Sequence, residues 1–194
     1  MRMTVSNALT IARALGSILI FALFSLYAHD QQNYLWAQKT ALPLFIIFSA
    51  TDLLDGILAR RLKQETTFGR IADPFVDKLL VCGSFIFLAT IKESLITPWV
   101  LIIIISREFL VSGLRSYIEG KGLAFGAMFS GKVKVTAQYT TVGWLIFYTA
   151  YLTPEGTAKS FTIFSIYAVS IITLASTVTY IHRAVKLLKG TKLA

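Results

Sequence analysis

Apolar residues in this chain fall in long runs separated by short polar stretches, with no alternation of the kind a half-buried strand needs. Runs long enough to cross a hydrocarbon layer, for which about 20 residues suffice, lie at 8–28, 41–60, 69–92, 96–118, 130–152 and 160–188. Backbone in lipid must satisfy its own hydrogen bonds, so each run predicts a helix. The pattern therefore predicts an all-α integral membrane protein, a bundle of six transmembrane helices preceded by a short polar interfacial segment at residues 1–7. Residues 29–39 form a polar loop, and Pro43 is expected in the first turn of the second helix, where a missing N–H costs nothing. Turn-like breaks fall at 120–126 and 153–158. With no repeat, low-complexity tract or soluble appendage, residues 1–194 are read as one membrane domain.

Composition sharpens this reading. Of 194 residues, 55% are hydrophobic, and the mean hydropathy is +0.67; a soluble domain of this size cannot bury so much apolar surface. The formal net charge of +9 raises nucleic acid as a partner, but the cations sit between apolar runs rather than on an aromatic-interleaved soluble face. They fit an anionic lipid surface and phosphate substrates better, so membrane lipids are expected as partners and nucleic acid is not. Six spans put both termini on one side of the membrane. That side collects 16 of the 19 Lys and Arg; only Lys39, Lys92 and Lys159 fall on the other. The asymmetry places both termini in the cytoplasm. Cys82 is alone in an apolar run and has no disulfide partner. His29 and His182 lack ligand-spaced neighbours. The first apolar run carries Arg13 and no clear cleavage site, so it is expected to persist as a helix.

Candidate chemistry is concentrated between positions 52 and 77. Asp52, Asp55, Gly56, Ala59 and Arg60 close the second run; Gly69, Asp73 and Asp77 open the third. Carboxylates inside a membrane are expensive and point to function. Asp52 and Asp55 are three apart and Asp73 and Asp77 four apart, so each pair shares a helix face. Two antiparallel helices joined by a short cytoplasmic hairpin would aim all four at one space. Alone, such carboxylates repel or take up protons; a divalent cation removes the conflict. An all-oxygen donor set with no paired His or Cys favours Mg²⁺, Mn²⁺ or Ca²⁺ over Zn²⁺. Gly56 and Ala59 leave room for a ligand to approach the backbone, and Arg60 suits a phosphate or its own helix end. Any one aspartate by itself is equally readable as an interfacial, salt-bridged residue; the spaced set is not.

The pattern Asp-x2-Asp-Gly-x2-Ala-Arg-x8-Gly-x3-Asp-x3-Asp resembles the signature of the CDP-alcohol phosphotransferases, with every fixed position and spacing present. Members exchange the CMP of a CDP-linked lipid for an alcohol. The resemblance implies that Asp52, Asp55 and Asp73 hold Mg²⁺ or Mn²⁺, and that Asp77 is the general base with a further contact to the metal. It also implies that Gly56, Ala59, Arg60 and Gly69 help form the site for CDP-diacylglycerol. Asn7, Thr10 and Arg13 resemble the family's amino-terminal Asn-x2-Thr-x2-Arg element beside the nucleotide, although Ser6 stands where many members carry proline. Without the family, Asn7 and Thr10 are ordinary helix-start residues. The resemblance further implies a homodimer and an active site at the cytoplasmic face of a bacterial inner membrane.

The acceptor is read from the fourth and fifth runs. Arg107, Ser112 and Arg115 lie within about two turns, and Lys132 and Lys134 open the fifth run. Four cations together suit a phosphomonoester, arginine forks reading its oxygens and lysines adding point charge. The alternatives are that Arg107 pairs with Glu108 or Asp73 and that the lysines only set topology. The Arg-Glu-x3-Ser-x-Leu-Arg and Gly-Lys-x-Lys-x3-Gln segments are similar to family members whose acceptor is sn-glycerol 3-phosphate. The expectation is phosphatidyl transfer from CDP-diacylglycerol to that acceptor, giving phosphatidylglycerophosphate and CMP. Other acceptors within the family (phosphatidylglycerol, an inositol phosphate, serine) are the nearest alternative, and a divalent-cation transporter is the alternative from another class.

Overall fold

The computed structural model describes the backbone of residues 5–62, 67–126, 128–152 and 155–191, and the side chains of these except at 5–7, 52–74, 77, 190 and 191. Among the described residues the chain is all-helical. The helices are α1 (Val5–His29), α2 (Leu35–Leu62), α3 (Thr67–Leu88), α4 (Pro98–Gly120), α5 (Phe129–Tyr151) and α6 (Gly156–Thr191), with a single 3-10 turn at Lys92–Ser94. They follow the six apolar runs. Two of them, Ala8–His29 and Gly156–Lys189, are long and apolar enough to cross a membrane, and Lys78–Leu88 is a shorter apolar stretch.

One expectation needs correction. Pro43 lies inside α2, because that helix starts at Leu35 rather than near 41. The earlier start comes from a tight turn after α1. Asp30 accepts hydrogen bonds from the backbone N–H of Gln32 and Asn33, each at 3.1 Å, and from the Asn33 amide at 2.6 Å. Gln38, fully buried on the added turn, donates through Nε2 to Thr149 Oγ1 at 2.6 Å. This tertiary anchor offsets the backbone bond that an interior proline removes.

The helices divide between two compact units. The first comprises residues 1–96 and 142–162. Its organising element is α1, which packs on both α2 and α3. The reason is a buried stripe at helical spacing, Arg13, Ser17, Ile20, Phe24 and Tyr27. Small residues allow close approach. A Cβ on Gly16 would sit 2.1 Å from the Phe48 ring, and one on Gly83 would sit 2.2 Å from the Phe21 ring. Phe21 also stacks on Phe87 at 5.0 Å. The Tyr27 hydroxyl donates to the Thr149 carbonyl at 2.8 Å, and Trp144 Nε1 donates to Thr162 Oγ1 at 2.9 Å.

The second unit comprises residues 97–141 and 163–194. Its apolar core joins Val111, Ile118 and Phe125 to Tyr180 and Ala184 of α6, with Leu114, Leu123, Met128, Leu187 and Leu188 around them. The end of α4 is closed by Gly122 at φ +75°. The Gly122 N–H donates to the Glu119 carbonyl at 2.9 Å and the Leu123 N–H to the Ile118 carbonyl at 3.2 Å. This is the Schellman arrangement, and Leu123 and Ile118 make its usual apolar contact. The break expected at 120–126 is thus a specific helix stop.

Two outcomes follow from this packing. Gly83→Leu should lower the thermal unfolding midpoint in detergent, since overpacking costs about 1–3 kcal/mol, whereas Gly113→Ala, where a Cβ meets nothing within 4 Å, should leave it in place. Asp30 is half-buried, and its carboxyl is held below the usual range, first by the Asn33 N–H and then by the Asn33 side chain. The turn it closes is therefore intact above the ordinary carboxyl pKa and loosens only as pH falls through the lowered one; an NMR titration of the Asn33 amide checks this.

Candidate functional site

The aspartate motif straddles the α2–α3 connection. Asp52, Asp55, Gly56, Ala59 and Arg60 lie on α2, and Gly69, Asp73 and Asp77 lie on α3. Their side chains fall outside the described residues, as does that of Asn7 on α1. The backbone nevertheless bears on whether a metal fits. Both helices are continuous through the motif, so the backbone positions of Asp52 and Asp55, and of Asp73 and Asp77, lie about one helical turn apart. Leu62 and Thr67 are five residues apart, so those helix ends lie within about 18 Å. Asp55 is about 10 Å before the end of α2 and Asp73 about 9 Å after the start of α3, at 1.5 Å per residue. The all-oxygen donor set suits a hard divalent cation. Thr10 and Arg13 of α1 are each only 2% exposed. They share the buried stripe that packs on α2 and α3.

The acceptor candidates lie in the second unit, where side chains are described. Arg107 is 7% exposed, Glu108 8% and Lys134 4%. Burial at this level demands counter-charges, and the structure supplies one. Lys134 Nζ lies 2.6 Å from Glu108 Oε1. Arg107 Nη1 lies 3.3 Å from both Glu108 oxygens. Arg107 is held further by α6: its Nη2 donates to Ser176 Oγ at 3.0 Å, and its guanidinium lies over the Tyr180 ring at 5.3 Å. The Tyr180 hydroxyl in turn accepts the Met128 N–H at 3.2 Å.

The remaining candidates are placed differently. The Ser112 hydroxyl donates to the Glu108 carbonyl one turn back at 2.6 Å. Arg115 is half-buried and Lys132 is exposed. The structure thus joins Arg107 to Lys134 through Glu108 and leaves Lys132 at the surface. Three buried N–H groups of this unit, Arg107 Nε, Arg115 Nε and Gln138 Nε2, have no hydrogen-bond partner among the described residues. All three are donors on α4 and α5, and the Thr173 hydroxyl on α6 is likewise buried with no partner among the described residues. An oxyanion with several oxygens could accept from donors of this kind.

Sequence reading named Glu108 only as a possible partner of Arg107 and passed over Ser176 and Tyr180. Their four-residue spacing on a stripe of small hydroxyl residues was the available signal. Such a stripe is also ordinary polar contact between apolar helices, so the spacing alone does not single out these two residues.

Comparison with known proteins supports this chemistry. The family model described as CDP-alcohol phosphatidyltransferase matches residues 3–181. A CDP-diacylglycerol–glycerol-3-phosphate 3-phosphatidyltransferase of Bacillus subtilis is 39% identical over 147 residues, which is 72% of this chain and 75% of the relative. Proteins of the same name are 35% identical over 162 residues in Cereibacter sphaeroides, covering 82% of this chain and 70% of the relative, and 36% identical over 116 residues in Escherichia coli, covering 57% and 62%.

The role of Tyr180 can be tested by two changes. Tyr180→Phe keeps the ring beneath Arg107 and should cost about 1 kcal/mol, from the Met128 N–H it abandons. Tyr180→Leu loses the ring as well and should cost more, measured as thermal unfolding midpoints of the purified protein.

Proposed function

The chain belongs to the CDP-alcohol phosphatidyltransferase family, and on that premise we propose that it transfers the phosphatidyl group of CDP-diacylglycerol to sn-glycerol 3-phosphate. The products are phosphatidylglycerophosphate and CMP. The observation that carries this reading is the complete, correctly spaced aspartate motif together with the buried Arg107–Glu108–Lys134 cluster, in which Arg107 Nε has no partner among the described residues. The names of the relatives support the choice of acceptor.

In this reading Asp52, Asp55, Asp73 and Asp77 hold Mg²⁺ or Mn²⁺. Such an ion, when bound, offsets charge on the transferring phosphoryl group and on departing CMP. Gly56, Ala59 and Gly69 give the nucleotide close approach to backbone, and Arg60, Asn7, Thr10 and Arg13 contribute polar contacts to it. Asp77 accepts the proton of the acceptor's 1-hydroxyl as that oxygen attacks the phosphorus bearing the diacylglycerol. The P–O bond to CMP breaks, and CMP leaves with the electron pair. Arg107, Arg115, Lys132 and Lys134, with Ser112, supply the positive field that a dianionic acceptor requires. The protein is read as one domain of six spans in a bacterial inner membrane, both termini cytoplasmic, acting as a homodimer.

The test is CMP release by purified protein with CDP-diacylglycerol and each alcohol in turn. The expected result is preference for sn-glycerol 3-phosphate; preference for phosphatidylglycerol, inositol phosphate or serine would move the protein elsewhere in the family. Asp77→Asn should lose about 10²- to 10⁴-fold in turnover while remaining folded. Turnover like that of the wild type would remove Asp77 from the mechanism.

A further inference from the structure

The two cations around Glu108 are held unequally, and the inequality separates their roles. Lys134 meets the carboxylate at 2.6 Å, short even for a charge-assisted bond. Arg107 reaches it only at 3.3 Å, through one nitrogen pointing at both oxygens. The cause is local. Arg107 and Glu108 are consecutive in a helix, so their side chains leave it about 100° apart and cannot meet fork to fork. The Arg107 guanidinium is nonetheless well positioned, by Ser176 on one nitrogen and by the Tyr180 ring beneath it. Its Nε is buried and has no acceptor among the described residues. Arg107 is therefore a fixed fork whose present anion fits it poorly. Lys134 is a lysine whose present anion fits it well.

Resting on the proposed acceptor reading, we propose that Glu108 is a resident counter-anion for Arg107, displaced from it by the phosphate of the incoming acceptor, and that Lys134 is a positioning residue that retains Glu108 when this happens. Between turnovers Glu108 spares Arg107 the cost of a buried, unpaired charge. When a phosphomonoester arrives, its oxygens give Arg107 the fork-to-fork geometry that Glu108 cannot. The carboxylate keeps its short contact to Lys134 and is not itself left unpaired. Lys134 thus favours phosphate binding without touching it, by drawing Glu108 away from Arg107. The exchange needs only a shift of one carboxylate already at the edge of hydrogen-bond distance.

The two possible roles of Lys134 give opposite signs in a double-mutant cycle. In Lys134→Met, Arg107 is the cation left to Glu108 among the described residues, and the carboxylate competes harder for it, so KM for sn-glycerol 3-phosphate should rise on the order of tenfold. Adding Glu108→Gln removes the competitor and restores the net charge of the wild-type trio. KM of the double variant should fall back by most of that factor, with kcat changing less than KM. A double variant with KM as high as Lys134→Met, or higher, would mean that Lys134 contacts the phosphate itself and would overturn the proposal. If Lys134→Met does not accumulate, Glu108→Asp decides: the shorter carboxylate withdraws from Arg107, so KM should fall, and an unchanged or raised KM is the contrary result. Wild-type protein that releases no CMP with sn-glycerol 3-phosphate would overturn the acceptor reading instead. Inorganic phosphate then tests Glu108 independently. It should raise the thermal unfolding midpoint of the double variant more than that of Lys134→Met, and equal shifts would sink the idea.

Discussion

A charge placed among apolar helices must find a counter-charge, and this requirement organises the molecule's chemistry. Arg13, Arg107, Glu108 and Lys134 are all nearly inaccessible, in helices that otherwise present Leu, Ile, Val and Phe. Each would be costly without compensation. Around Glu108 the compensation comes from within the protein, in an arrangement with one negative and two positive charges. In the proposed reading, a phosphate-bearing substrate brings oxygens to Arg107, whose Nε has no partner among the described residues. The four aspartates of α2 and α3 are, in the proposed reading, an all-oxygen donor set whose charge a divalent cation would offset.

Packing serves this arrangement. In the first unit, glycine at positions 16 and 83 lets α1 approach Phe48 and bring its own Phe21 against α3. The same helix carries Thr10 and Arg13 on its buried stripe. In the second unit, the closure of α4 at Gly122 turns Leu123 and Phe125 back onto Tyr180. Tyr180 then does two things, accepting the Met128 N–H and carrying the Arg107 guanidinium on its ring. An apolar cluster and a polar site thus share one residue, so a change in the core is felt at the cation.

Much of this was legible in the chain. The apolar runs predicted all six helices because a continuous apolar run has few other ways to satisfy its backbone. The aspartate spacing pointed to shared faces because helical periodicity is rigid over three or four residues. The start of α2 was misjudged, since Leu35 to Thr40 joins the helix through the Asp30 turn and the buried Gln38–Thr149 contact, and neither is visible in a hydropathy pattern. Pairing of Arg107 with Glu108 was foreseen as one alternative. That Lys134 also reaches Glu108, and that Ser176 and Tyr180 position Arg107, depends on contacts at least 26 residues apart in the chain. No local pattern reports those. The roles assigned to the motif aspartates rest on their spacing and on the family.

The central claim is that acidic side chains of α2 and α3 share a divalent cation. It is tested most directly by Mn²⁺ titration of the purified protein, followed by electron paramagnetic resonance. Saturable binding in the wild type that is lost in Asp55→Asn and in Asp73→Asn, one change on each helix, is the predicted result. Binding that survives both substitutions, or that is absent from the wild type with and without CDP-diacylglycerol, would contradict the account.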